Sequence, residues 1–258
     1  MGTHPDTDRI ERYQGAYSGS LSFESVLVRH RQDLILERLR RYQPATVVEV
    51  GCGLDSLFSR VQRDSVLSNA LDRWVTVEPV GAFLSEAEKG GRGDDRLVLI
   101  QGTVEDVGRE VSALLGEADF LICASLLHEL TQPHRVLLAM TGLAGTDSVL
   151  HLSVPNAYSL HRRLAQAMGL IDDEHDLSER NRLLEQRRVF DRESFGALVE
   201  GAGLEVVAEG GIFMKPFTHD QMSTLPFGDE RLFHGLAQLG RELPELASEL
   251  WVDTRKRL

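Results

Sequence analysis

The chain has 258 residues, 42% hydrophobic, with 23 glycines and 8 prolines, which excludes a disordered or fibrous polymer and suits one α/β domain with decorations. Its formal charge of −12 repels phosphates, which argues against nucleic acid and anionic membrane as partners. Cys52 and Cys123 lack metal-ligand spacing and read as small reduced residues, Met1–Asp8 is polar, and no apolar run approaches the roughly 18 residues of a membrane span. The expectation is a cytoplasmic protein, monomeric or homodimeric, with no membrane segment and no metal.

In chain order, residues 1–19 are polar and carry Tyr13 and Tyr17. Leu21–Tyr42 reads as a helix, with Ser22 as a cap and Leu27, Leu34, Ile35 and Leu39 at helical spacing. Pro44 stops it. Val47, Val48 and Val50 read as a buried strand that runs into a turn at Gly51 and Gly53. Ser56–Val61 opens a helix, Val75–Glu78 is a second strand ending in a carboxylate, and Phe83–Glu88 is helical. A glycine turn at 90–93 precedes a third strand, Leu97–Gln101, and Ala118–Ala124 is the fourth. A helix over Val136–Leu143 leads to strand five, Ser148–Val154. Further on, Ser159–Met168 and Glu193–Ala202 are helical, Leu204–Met214 is a β segment, and Ser248–Thr254 is a last strand. Alternating elements of this length predict a doubly wound, mostly parallel sheet.

A glycine turn after one strand and an acid after the next is how such folds hold an adenosine, with backbone at the ligand and carboxylate on the ribose hydroxyls. A dinucleotide is disfavoured, because the third glycine of G-x-G-x-x-G is replaced by Ser56, and Asp55 would repel a pyrophosphate while tolerating a sulfonium or ammonium. Glu49-x-Gly51-x-Gly53 resembles motif I of the class I S-adenosylmethionine-dependent methyltransferases, from which Asp55 departs where the family usually has glycine. The resemblance covers residues 45–256, and its specific motifs lie between 49 and 129. Val154-Pro155-Asn156 and the run Tyr158–Arg163 resemble a small-molecule subgroup.

The resemblance implies a seven-stranded sheet with an antiparallel last strand, helices on both faces and an N-terminal helical cap. It divides the chain into an arm or lid (1–44) and a cofactor-binding domain (45–258), with substrate-side insertions at 169–190 and 217–247. S-adenosylmethionine is the implied cofactor, held by Glu49, Gly51, Cys52, Gly53, Glu78, Pro79, Gly102, Thr103, Val104, Ser125 and Leu126. Glu105 and Asp106 read equally as adenine contacts or helix-start residues. His128, past strand four, is a candidate base or a helix-start residue, with His161 as second candidate. Glu129 reads as helix-dipole decoration rather than catalyst. Tyr13, Tyr17, Asn156 and Tyr158 are candidates for the substrate side, Asn156 reading equally as a cap; His30 and the N-terminal tyrosines would belong to a lid, if the arm is not simply packing. The expected activity is methyl transfer to an oxygen or nitrogen of a small molecule. The alternatives are a cyclase or lyase that consumes S-adenosylmethionine and releases methylthioadenosine, and a non-catalytic cofactor-binding partner subunit.

Overall fold

Strands rich in β-branched residues stack side by side to form the centre of the molecule. The computed structural model describes residues 21–224 and 230–257. Tyr13, Tyr17 and the Ser22 side chain lie outside the described residues. Helix α1 (Leu21–Tyr42) precedes β1 (Thr46–Val50), α2 (Leu57–Arg63), α3 (Ser65–Ala70) and β2 (Arg73–Glu78). Then come α4 (Gly81–Gly91), β3 (Leu97–Gln101), α5 (Val104–Leu115), β4 (Ala118–Ala124), α6 (Pro133–Leu143) and β5 (Ala144–Pro155). The last third holds α7 (Leu160–Ala167), α8 (Glu179–Leu183), α9 (Arg192–Gly201), β6 (Leu204–Ile212), α10 (His219–Thr224), α11 (Glu230–Glu242) and β7 (Glu249–Lys256).

The sheet runs in the order β3-β2-β1-β4-β5-β7-β6. β3, β2, β1, β4 and β5 are parallel, and β7 runs antiparallel between β5 and β6. The predicted antiparallel last strand is present, inserted one place in from the edge. Because side chains alternate along a strand, Val48, Val50, Val75 and Val77 pack on one face with α5, α6 and α9 residues such as Val111, Leu137 and Phe195. Val47, Trp74 and Phe120 point to the other face, where α1, α2 and α3 cover them through Ile35, Leu39, Phe58 and Leu67. Helix α1 ends at Tyr42 and is part of the layer that covers the sheet.

Two boundaries differ from the sequence reading for identifiable reasons. β6 ends at Ile212 rather than Met214, because Phe213 adopts a left-handed φ of +56° that turns the chain out of the strand. β5 begins earlier, at Ala144, and its register against β4 shifts between Ala118 and Phe120. The polar segments 169–190 and 217–247 contain the short helices α8 and α10 and the 13-residue helix α11, which their composition did not signal.

Candidate functional site

The parallel strands β1, β2, β3 and β4 all end at the same edge, where a cavity of about 470 Å³ opens. Ligands in open α/β sheets bind at such carboxyl ends, beside the point where strand order reverses. After β1 the chain turns through Gly51 and Gly53, at φ +79° and +61°. A Cβ on Gly51 would stand 2.9 Å from Leu126 Cδ2, so the β1 turn and the β4 exit approach each other closely only because residue 51 has no side chain. Ser125, at the end of β4, also holds a left-handed φ of +53°, fixed as its N–H donates to the Ser153 carbonyl at 2.9 Å. Such backbone conformations cost free energy and collect at ligand sites.

Glu49 and Glu78 face the same side of the sheet, the side that α1 covers, because each is two residues from a neighbour on that face. Both are nearly buried, at 6% and 5% exposure. Trp74 Nε1 donates to Glu49 Oε2 at 3.2 Å, and Val80 N–H donates to Glu78 Oε1 at 2.9 Å. Burial outweighs these bonds and pushes each carboxyl up to about 7. Two carboxylates in this state gain from a ligand that brings hydroxyl donors and positive charge.

All eleven residues assigned to the cofactor from the sequence line this one cavity: Glu49, Gly51, Cys52, Gly53, Glu78, Pro79, Gly102, Thr103, Val104, Ser125 and Leu126. Glu105 joins them, whereas Asp106 accepts a hydrogen bond from Thr103 Oγ1 at 2.8 Å in the first turn of α5. Beyond Ser125 the cavity continues between α1, through Glu24, Ser25, Val28, Arg31 and Gln32, and the loop Glu129–Gln132 with Arg135 of α6. Sequence reasoning gave none of these a place on the wall. Helical periodicity marks the buried stripe of α1 but not the ligand its neighbouring stripe faces. His30 packs on the Phe213 ring at 5.1 Å and is not part of the wall.

The four described candidates for catalysis and substrate contact stand apart from this cavity. His128 sits in a turn before α6, neither on the wall nor at a helix start, and is 2% exposed. Burial drives its pKa down to about 3, aided by Arg31, so the imidazole stays neutral through the physiological range. Its Nδ1 is buried without a hydrogen-bond partner, and its Nε2 lies 3.6 Å from Glu129 Oε1. His161 is pushed well below its ordinary value by burial and by Lys215 and Arg162. Asn156 holds backbone together, as Nδ2 donates to the carbonyls of Glu245 and Ala247, and Oδ1 accepts from Tyr158 N–H. Tyr158 packs its ring between the His175 edge and the Arg163 guanidinium. Neither Asn156 nor Tyr158 lines the cavity, and their contacts fix the loop after β5.

A partly buried polar chain supports the α1 wall. His219 Nε2 bonds to Glu24 Oε2 at 2.9 Å, and Lys215 Nζ to His219 Nδ1 at 3.0 Å. Burial raises the Glu24 carboxyl, but the His219 bond and the charges of Arg31 and Arg180 overcome this and hold it at about 2. Arg31 is itself clamped to Glu249 by bonds of 2.8 and 2.5 Å. Opposite, Arg188 donates to the carbonyls of Leu130 and Thr131 at 3.1 Å, fixing the loop after β4.

Comparison with known proteins adds a family. A family model described as a methyltransferase domain matches residues 27–209. No curated protein matches the chain. Among solved structures, the plantazolicin methyltransferase BamL, in complex with a triazolic desmethylPZN analog and SAH, is similar over 99% of this chain and 100% of its own, with 16% identity and a TM-score of 0.59. The small RNA methyltransferase HEN1 is similar over 89% of this chain and 26% of its own (14% identity, TM-score 0.60). The cyclase SpnF is similar over 88% of this chain and 80% of its own (14% identity, TM-score 0.55). At these identities the likeness is one of fold. Among the described residues no helix is long and apolar enough to cross a membrane.

Proposed function

Because the chain belongs to the methyltransferase-domain family, we propose that it transfers a methyl group from S-adenosylmethionine to an oxygen or nitrogen of a small-molecule acceptor. The observation that carries this reading is the meeting of Gly51, Gly53, Glu78, Thr103 and Ser125, from four separate strand ends, on a single cavity wall. When bound, S-adenosylmethionine supplies a methyl already activated on a sulfonium, and S-adenosylhomocysteine is what remains. The protein has to hold, align and exclude water. Glu78 suits the ribose hydroxyls, the Gly51–Gly53 turn lets backbone approach the ligand, and Thr103 and Val104 border the space for the adenine.

The wall also favours a small acceptor over a nucleic acid. Of the residues lining the cavity, Glu24, Glu49, Asp55, Glu78, Glu105 and Glu129 are acidic, and only Arg31 and Arg135 are basic, the former held by Glu249. Such a wall attracts a sulfonium and repels phosphates. The test is incubation with methyl-labelled S-adenosylmethionine and a host extract. Label in a small molecule together with S-adenosylhomocysteine supports the proposal, and label in RNA overturns the acceptor class. A second reading keeps the same cavity but makes S-adenosylmethionine itself the substrate of a cyclase or lyase; the similar fold of SpnF, a [4+2]-cyclase, shows only that such a fold occurs in a cyclase. Methylthioadenosine as the nucleoside product would select it.

A further inference from the structure

We propose that Glu129 is the residue that takes the proton from the acceptor, and that His128 positions it. The inference rests on the methyl-transfer reading and deepens it. Six carboxylates line the cavity, and five have other places. Glu49 and Glu78 sit at the ends of β1 and β2, beside the glycine turn. Asp55 lies at the exit of that turn, and Glu105 in the first turn of α5, next to the space beyond β3. Glu24 is hydrogen-bonded to His219 and held ionised to very low pH, which makes it a weak proton acceptor. Glu129 remains. It is the carboxylate of the β4 exit, at the carboxyl edge of the sheet where open α/β folds bind their ligands.

The local structure fixes this side chain. Ser125, strained at φ +53°, redirects the chain as β4 ends. Glu129 N–H then donates to the Leu126 carbonyl at 3.0 Å, closing a turn. Within that turn Leu126, Glu129 and Leu130 line the cavity and Leu127 and His128 do not; Glu129 is itself only 4% exposed. The turn is tied from behind, as Arg187 N–H donates to the His128 carbonyl at 3.1 Å and Arg188 holds the carbonyls of Leu130 and Thr131. His128 Nε2 stands 3.6 Å from Glu129 Oε1, so the imidazole backs the carboxylate without reaching the cavity. A carboxylate on a rigid turn, backed by a neutral ring, is preorganised for one direction of approach.

The proton balance is simple. The acceptor's O–H or N–H bond breaks and Glu129 gains the proton as a carboxylic acid. The electron pair left on the acceptor forms the new bond to the methyl carbon, and the pair of the broken carbon–sulfur bond stays on sulfur. Glu129 returns the proton to solvent when product leaves.

Calorimetry with two probes tests this without any acceptor. S-adenosylhomocysteine has nothing at the methyl position, whereas sinefungin has a carbon in place of the sulfur and an amine at the methyl position. If Glu129 faces that position, wild type binds sinefungin more tightly than S-adenosylhomocysteine. The isosteric Glu129→Gln then loses roughly tenfold or more of that preference, with affinity for S-adenosylhomocysteine within about twofold of wild type. His128→Asn gives a smaller loss of the same preference, and Glu129→Asp recovers part of it. An unchanged preference in Glu129→Gln overturns the assignment while leaving the cofactor reading intact. Wild type that binds neither probe overturns both. In the labelled-extract assay Glu129→Gln lowers turnover by roughly 10²–10⁴, and turnover within threefold of wild type also overturns it.

Discussion

The strand-end side of the cavity is built from residues 49–53, 78–79 and 102–104, each within a few positions of a strand end, whereas its α1 wall is held by a Glu24–His219 bond that spans 195 positions of sequence. The first kind of site is written as short motifs, since strand alternation and a glycine turn place backbone and carboxylates together. The second exists only after α1, β6 and α10 have packed. Motifs therefore announce the strand-end part of the cavity, and tertiary contacts build the rest of its wall.

The comparison breaks most visibly at Gly51. Gly51→Val places a branched side chain at φ +79°, with its Cβ 2.9 Å from Leu126 Cδ2. We expect a loss of about 3 kcal/mol, roughly 100-fold, in affinity for S-adenosylhomocysteine. Calorimetry on the folded variant checks it, and wild-type affinity would mean that the turn does not touch the ligand. Glu78→Ala should cost about 1.5–3 kcal/mol of the same affinity through lost charge-assisted bonds, and an unchanged dissociation constant would reject the ribose role.

Asn156→Ala sharpens the contrast from the other side. Three hydrogen bonds to backbone are lost, so thermal or urea unfolding should show about 1–2 kcal/mol less stability with cofactor affinity intact. A selective loss of acceptor binding without loss of stability would restore its substrate role. Lys215→Met should have the smallest effect, and a positive one. Burial pushes the Lys215 amine down to about 7, so the folded chain binds that proton more weakly than the unfolded chain. The resulting penalty is full below pH 7 and fades as pH rises toward 10.5. The methionine variant should therefore be more stable by about 1 kcal/mol at neutral pH, with the gain vanishing in alkali. A destabilised variant at pH 7 would show that the ammonium is needed for packing.

Most of the sheet was legible in the sequence, because runs such as Val47–Val50 and Leu97–Gln101 have strand periodicity and are bounded by glycine turns. That the eleven residues assigned to the cofactor would meet on one cavity wall was legible for the same reason. His128 misled: a histidine after β4 has the right address, but the turn closed by Glu129 N–H and the Leu126 carbonyl rotates it into the protein and presents Glu129 instead. Asn156 misled because its partners, the Glu245 and Ala247 carbonyls, lie about 90 positions away and no local pattern announces them. The α1 wall went unread because amphipathic spacing tells that a helix is covered on one side, without telling by what.

The most direct test of the cofactor assignment is a calorimetric titration of S-adenosylhomocysteine into the wild-type protein near pH 6.5, in two buffers of different ionisation enthalpy, with NAD as the competitor. Glu49 and Glu78 both stand at about 7 in the free protein, because burial disfavours their charge. Below that pH they hold protons that the unfolded chain would have released, so their contribution to stability is present in acid and is lost as pH rises from about 4.5 through 7. A ligand that donates hydrogen bonds and positive charge to them pulls both values back down. Binding is expected in the micromolar range, about −8 kcal/mol, with net release of protons that Glu78→Gln diminishes. NAD binding more tightly than S-adenosylhomocysteine, or S-adenosylhomocysteine binding with no proton release, would contradict it.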